Sequence, residues 1–320
     1  MSKKTLVAFA FSAVWIGCAA THGPIDSTSA MKLQAEGTVL VGQAKVWPLS
    51  DGETSLKPAL FQGIASEEKL KILDVKSEDT VLPTSVNAYY IEWDDRRILV
   101  DSGRGSVSGS GPNSGKLAAA LAEKSIAPES IQAVLITHLH SDHFGGLVAG
   151  GPDDKNRKLF FPNATVWVHE AELAYWTGDP ALVPEGNRQA FTYTHEGVKA
   201  LVGVAGDKLQ TFRSDQEIFS GIRAMHTPGH TPGHTAFMLE SNGAKLVIWG
   251  DLMHSIRLQT VSPRAHFFYD SDPDVAVATR LTWMEKAAKE NLWIAGMHLP
   301  FPGIVRLEKQ IGRASCRERV

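Results

Sequence analysis

Apolar residues recur along this chain in short runs broken by Gly, Pro, Asp and Asn, a rhythm that favours strands over long helices. Strands are expected at 39–49, at 85–93 and 96–101 around an Asp94-Asp95 hairpin, and at 131–137 and 163–169. More follow at 209–212, 222–226, 236–240, 245–250 and 292–296, with Asn242-Gly243 a further hairpin turn. Helical spacing appears at 67–77, 115–124, 170–176 and 274–289, the last introduced by Asp272-Pro273, with a helix also starting at 144–148 and a short one at 198–201. Asp51-Gly52 reads as a turn, 103–115 as a Gly/Ser loop walling a pocket, and 177–196 as a polar insertion carrying Phe191 and Tyr193. Strands come in runs with helices at intervals, not in strict alternation. That points to an α/β chain with two sheets sandwiched between helices.

One strand delivers the chain's densest chemistry. Val134-Leu-Ile-Thr-His-Leu-His-Ser-Asp-His-Phe-Gly-Gly-Leu147 places His138, His140, Asp142 and His143 within six residues. Imidazole and carboxylate suit Zn, Fe, Mn or Ni. In extended backbone residues i and i+2 point the same way, so His138 and His140 can share one ion. A turn after them, eased by Gly145 and Gly146, swings Asp142 and His143 toward a second. A lone histidine would read as part of a polar loop; four such groups at the end of an apolar strand read as a metal site.

Four further stretches stand in order around it: L-V-D-S-G at 99–103, T-P-G-H-T-P-G-H at 227–234, W-G-D-L at 249–252 and G-M-H-L-P-F-P-G at 296–303. With these motifs the chain resembles the metallo-β-lactamase superfamily of hydrolases over roughly residues 37–310. The resemblance implies an αββα sandwich, two mixed β-sheets flanked by helices. It implies two divalent ions, Zn first with Fe, Mn or Co as alternatives. His138, His140 and His230 would hold one ion, Asp142, His143 and His298 the other, and Asp251 would bridge them. A hydroxide shared by the two ions is then the nucleophile, with Asp251 and Asp142 in the catalytic centre. Asp101 would lie behind the ligands, orienting one of the histidines. His234 reads as structural or supporting, and His169, His195 and His226 as ordinary histidines. His254 stands three residues after Asp251, where acyl-homoserine lactonases of this superfamily commonly place a Tyr. It is expected to touch the substrate or protonate the leaving group. Trp176, Phe191, Phe267, Phe268 and Tyr269 are candidates for an apolar substrate pocket.

Within the superfamily the likeness is greatest to the methyl parathion hydrolase-like and quorum-quenching lactonase group, carried by T-S-V-N-A-Y at 84–89, F-P-N-A at 161–164 and H-L-P-F-P-G at 298–303. In that group phosphotriester turnover depends partly on an aromatic in the loop after the Asp-Gly element, and this loop has none. Lactone or ester hydrolysis with weak phosphotriester turnover is the expectation. An organophosphate hydrolase, a β-lactamase, an iron-dependent oxygenase of the same fold and a non-catalytic metal-dependent binding protein stay open. Against the β-lactamase, many such enzymes use a Cys where this chain has Asp251.

The two ends alter the charge balance. Residues 1–17 carry Lys3-Lys4, then a short apolar run, as a secretory signal does. Cys18 follows, and its lipidation would anchor the chain to a bacterial membrane; export to the periplasm or the outer membrane is expected. Residues 18–36 read as a loose arm, and 311–320 resemble a translated sequencing adapter rather than natural sequence. The formal net charge is −3; removing 311–320 takes away three Arg and one Glu and leaves −5, and losing Lys3 and Lys4 with the leader leaves −7. An acidic body argues against nucleic acid and for a small-molecule substrate. Cys18 and Cys316 are its two cysteines, so no thiol serves as nucleophile or ligand in the body of the chain. A homodimer is compatible with all of this.

Overall fold

The computed structural model describes residues 31–33, 38–106, 113–151, 153–182, 185–310 and 313–318. The expected signal at 1–17, Cys18 and most of the expected arm at 18–36 lie outside them, as does 107–112 of the Gly/Ser loop. Among the described residues no helix is long and apolar enough to cross a membrane.

Two mixed sheets face each other. The first has eight strands, in spatial order Lys32–Leu33, Val39–Val41, Ala44–Leu56, Leu82–Trp93, Arg96–Val100, Ala133–Leu135, Thr165–His169 and Leu209–Phe212. The second has seven: Glu217–Phe219, Ile222–His226, Thr235–Ser241, Ala244–Ile248, Trp293–Ala295, Ile304–Gln310 and Arg313–Glu318. The period-2 alternation of side chains sorts each sheet's residues between two faces. Tyr89, Ile91, Ile98 and Val100 meet Ile222, Phe237, Leu246 and Ile248 in the core between the sheets. Their neighbours Ala88, Tyr90 and Leu99 point the other way, onto Leu121, Trp176 and Val198 of the outer helices. Val247, Trp249 and Ile294 of the second sheet pack under Trp283, Met284 and Ala287. Three apolar layers between four layers of structure make an αββα sandwich, as expected from the motifs.

Local chemistry explains the elements that hold the site. The helix Pro273–Lys289 begins with the Asp272 carboxylate accepting from the Val275 amide at 3.1 Å, and with Pro at its first turn. Asp94 (φ 57°) and the pair Asn242 and Gly243 (φ 50° and 77°) make tight hairpin turns where the residues predict them.

Four expectations need correction. Asp51-Gly52 is no turn: both lie inside the Ala44–Leu56 strand, where a bulge between Ser50 and Gly52 breaks the register. The bulge leaves Asp51 fully buried, accepting from the amides of Arg104, Gly115 and Leu117 at 2.9 Å each. Residues 144–148 do not start a long helix; a single turn Ser141–Phe144 runs into a 3-10 turn and a short strand, Val148–Ala149. The supposed insertion at 177–196 contains the start of a long helix, Glu185–Ala205. Within the arm, Lys32–Leu33 pairs with Leu40 and Val39 at the sheet edge.

Candidate active site

Every predicted ligand hangs from a strand end. After Ala133–Leu135 the chain bends at Thr137, is extended at His140 (ψ 149°) and then turns into Ser141–Phe144. His138 Nε2 and His140 Nδ1 come within 3.0 Å of each other, and the turn brings Asp142 and His143 beside them. On the second sheet, Ala244–Ile248 ends at Trp249-Gly250-Asp251. Gly250 has φ +59°, and a Cβ there would fall 2.5 Å from the His234 ring. This explains Gly at that position. His298 follows Trp293–Ala295 in a loop held by Asn87, whose side-chain amide donates to the carbonyls of Gly296 and Leu299 at 3.0 and 2.8 Å.

The side chains converge on one atom. Asp251 Oδ2 lies 3.7 Å from His138 Nε2, 3.3 Å from His143 Nε2, 3.5 Å from His230 Nε2 and 3.2 Å from His298 Nε2. On one flank His140 Nδ1 is 3.0 Å from His138 Nε2 and 2.9 Å from His230 Nε2. On the other, Asp142 approaches His143 Nε2 at 3.8 Å and His298 Nε2 at 3.6 Å. The structure thus brings all seven predicted ligands together, in two clusters of three flanking Asp251.

The donor set fits divalent cations. The outer nitrogens of four rings are already committed: His143 Nδ1 to Asp101 at 2.7 Å, His230 Nδ1 to Asp270 at 2.7 Å, His298 Nδ1 to the Ser85 carbonyl at 2.9 Å, His138 Nδ1 to the Thr137 hydroxyl at 3.1 Å. These bonds turn each Nε2 lone pair inward, the usual arrangement behind a metal-ligating imidazole. His143 Nε2 and Asp251 Oδ1 are buried without a hydrogen-bond partner among the described residues. Burial, helped by neighbouring imidazoles, holds His138 and His140 well below the usual histidine range, which keeps them neutral and ready to coordinate. Around His298 burial acts the same way, but the carboxylates of Asp251 and Asp142 outweigh it and raise the ring. Surroundings that draw a proton there also draw a cation.

Asp101 stands where the motif implies, fully buried and with φ +55°, also accepting from the Thr137 amide and hydroxyl at 2.8 Å each. His234 is structural: its Nε2 accepts from the Asp251 amide at 2.9 Å while its Nδ1 reaches the Thr227 carbonyl at 3.0 Å. Burial pushes it down to about 3. His254 sets Nε2 3.1 Å from Asp251 Oδ2 and stacks on Phe267 with ring centroids 4.0 Å apart.

Two supporting carboxylates have no signal in the sequence reading. Glu172 is buried; it accepts from the Leu139 amide (2.8 Å), the Gly233 amide (3.0 Å) and the Trp176 indole (2.7 Å), tying both ligand loops to one side chain. Asp270 accepts from the Phe267 amide at 2.8 Å besides facing His230, while the Ser271 amide and hydroxyl donate to the His230 carbonyl at 2.9 and 3.0 Å. Neither has a motif around it; only the fold brings them to the site. Asp270→Asn is expected to weaken cation binding at the His138/His140/His230 cluster by roughly 10- to 100-fold. Chelator competition on the purified variant measures this, the His143/His298 cluster serving as internal control.

A cavity of about 570 Å³ opens over the centre. Trp176, Phe191, Phe267, Phe268 and Tyr269 line it together with Arg104. Trp176, Phe191 and Phe267 are buried, while Phe268 and Tyr269 form an exposed rim at 43% and 44%. Trp176 stacks on Phe191 at 4.9 Å and meets His140 edge-on at 5.4 Å, so the apolar wall reaches the ligand cluster itself.

Residues 81–150 and 159–301 match the Metallo-beta-lactamase superfamily. Among solved structures, the fold is similar to "hydrolase AbOPH in beta lactamase superfamily" (TM-score 0.79, 31% identity, covering 87% of this chain and 95% of that one). It is also similar to AidC, described as a dizinc quorum-quenching lactonase (TM-score 0.78, 24% identity, covering 92% and 99%). The Bacillus subtilis protein "Probable metallo-hydrolase YqgX" is 29% identical over 174 residues, 53% of this chain and 67% of that one. Exodeoxyribonuclease WalJ of Streptococcus pneumoniae is 41% identical over 64 residues, 20% of this chain, and the match spans 21% of that protein's length.

Proposed function

The chain belongs to the metallo-beta-lactamase superfamily, and on that premise we propose that this metallo-hydrolase cleaves lactones or carboxylic esters bearing an apolar acyl part. The observation that carries the reading is the single Asp251 oxygen flanked by two ligand clusters beneath an aromatic cavity. His138, His140 and His230 would hold one cation and Asp142, His143 and His298 the other. When bound, the cations supply an acidified water and a Lewis acid for the scissile carbonyl oxygen.

The chain's own side chains do the rest. Trp176, Phe191 and Phe267 exclude water and accept an acyl chain. Burial lowers His254 to about 4, so its ring is neutral at pH 7. The tautomer that satisfies Asp251 carries its proton on Nε2 and leaves Nδ1, buried and without a partner among the described residues, to accept a hydrogen bond. Stacking on Phe267 fixes the ring plane. A substrate contact therefore suits His254 better than proton donation does.

The test uses full-length, zinc-loaded protein against homoserine lactones of several chain lengths, aryl esters, a paraoxon-type triester and a cephalosporin. The highest kcat/KM is expected on a lactone or an ester, with weak triester turnover. Inactivity on all four classes would remove the reading. His254→Ala is expected to lower kcat/KM on the best substrate about tenfold, the worth of one hydrogen bond. Unchanged kcat, KM and pH–rate profile would rule out its part in turnover.

A further inference from the structure

Among the described residues, the cavity lining holds one guanidinium, and no described acid forms an ion pair with it. The three aspartates of the lining are engaged: Asp142 with His143 and His298, Asp251 with the ring of imidazoles, Asp270 with His230 and Arg280. Arg104, directly after the Asp-Ser-Gly element, also lines the cavity. Its Nε is buried and has no hydrogen-bond partner among the described residues.

Arg104 is also held in place. Its amide donates to the buried Asp51 carboxylate at 2.9 Å. Its carbonyl passes so close to Gly145 that a Cβ there would lie 2.0 Å from it. The bulge that turns Asp51 inward and the glycine that follows the ligand turn thus both serve the position of this one residue. A planar guanidinium on an anchored backbone, lining the same cavity as the cation ligands and the aromatic wall, matches a carboxylate in a fixed place.

We infer that Arg104 is a specificity-determining residue, receiving a carboxylate carried by the substrate. The preferred substrates are then esters or lactones with a free carboxylate a few atoms from the scissile bond. The inference rests on the hydrolytic reading for the reaction, and on Arg104 alone for the selectivity.

The test compares metal-loaded full-length protein with Arg104→Met and Arg104→Lys. Calorimetry gives Kd for two uncleaved analogues with five-carbon acyl chains, the mono-4-nitroanilide of glutaric acid with its free carboxylate and the 4-nitroanilide of pentanoic acid without one. Wild type is expected to bind the acid about tenfold tighter or more, as a charge-assisted pair allows. Arg104→Met should bind both alike, with the pentanoic Kd unchanged as proof that the site is intact, and Arg104→Lys should keep part of the preference. Equal binding in wild type overturns the inference. So does a preference that survives in Arg104→Met, because the carboxylate is then seated elsewhere. The matching 4-nitrophenyl esters separate the two levels. If neither ester is cut while the anilides show the preference, the hydrolytic reading fails and the Arg104 assignment stands. If both esters are cut with the same kcat/KM ratio in wild type and Arg104→Met, the assignment fails and the hydrolytic reading stands.

Discussion

Replacing Asp251 by asparagine is expected to lower kcat/KM on the order of 10³-fold or more while leaving the fold intact. The substitution keeps the volume, and the Asp251 amide keeps its bond to His234. What disappears is the anionic oxygen lying 3.2 to 3.7 Å from four imidazole nitrogens. A neutral amide is a far weaker cation ligand than the carboxylate expected to serve both clusters, so metal content should fall below two ions per chain. Lewis-acid stabilisation of the transition state is worth several kcal/mol, and each 1.36 kcal/mol is a decade in rate. Metal analysis, near-UV circular dichroism and steady-state kinetics on one preparation check the three parts separately. A variant that retains activity within tenfold of wild type would sink the dinuclear reading.

Glu172→Ala should act by a different route. The side chain is 1% exposed and is the shared acceptor for two amides and an indole. Truncation leaves three buried donors unsatisfied and opens a void beside Trp176. The expected destabilisation is on the order of 3–5 kcal/mol, read as a lower urea midpoint at unchanged slope. Leu139 sits between two ligands and Gly233 three residues after a third, all of one cluster, so the His138/His140/His230 cluster should also load more weakly. Glu172→Gln keeps the volume but turns one donor toward another, and should fall between wild type and Ala. A Glu172→Ala protein as stable as wild type would show that the two loops are held by their own strands.

The convergent cluster of candidate ligands was legible because its members are local. Four lie within six residues, and the others sit in compact motifs at strand ends that strand periodicity locates independently. The supporting groups are another matter. Asp51 looks like half of an Asp-Gly turn, and nothing near it indicates that its partners are 53 to 66 residues away. Asp270 sits 40 residues from His230, between an aromatic and a serine with no motif of its own. Sequence spacing reports on the face a residue occupies, not on which remote loop that face will meet.

The helix Glu185–Ala205 was partly readable. Phe191, Thr194, Val198, Leu201 and Ala205 are all buried, and their spacing of three and four is helical. Gly186, Gly197 and the prolines at 180 and 184 obscured the period, and packing onto the first sheet overrides those weak local preferences. The Ile304–Gln310 strand was missed for the opposite reason: its apolar Ile304, Val305 and Leu307 are too few and too irregular to alternate clearly.

The segment Phe267–Ser271 has a consequence for how such an enzyme changes. It supplies the exposed rim through Phe268 and Tyr269 and, one residue later, the carboxylate that steers His230. Selectivity and reactive power are thus spliced into five consecutive residues. An insertion or a swapped rim residue there will retune the electrophile along with the guest, so variants with new substrate ranges should arise more cheaply from the helix Glu185–Ala205 wall than from this edge.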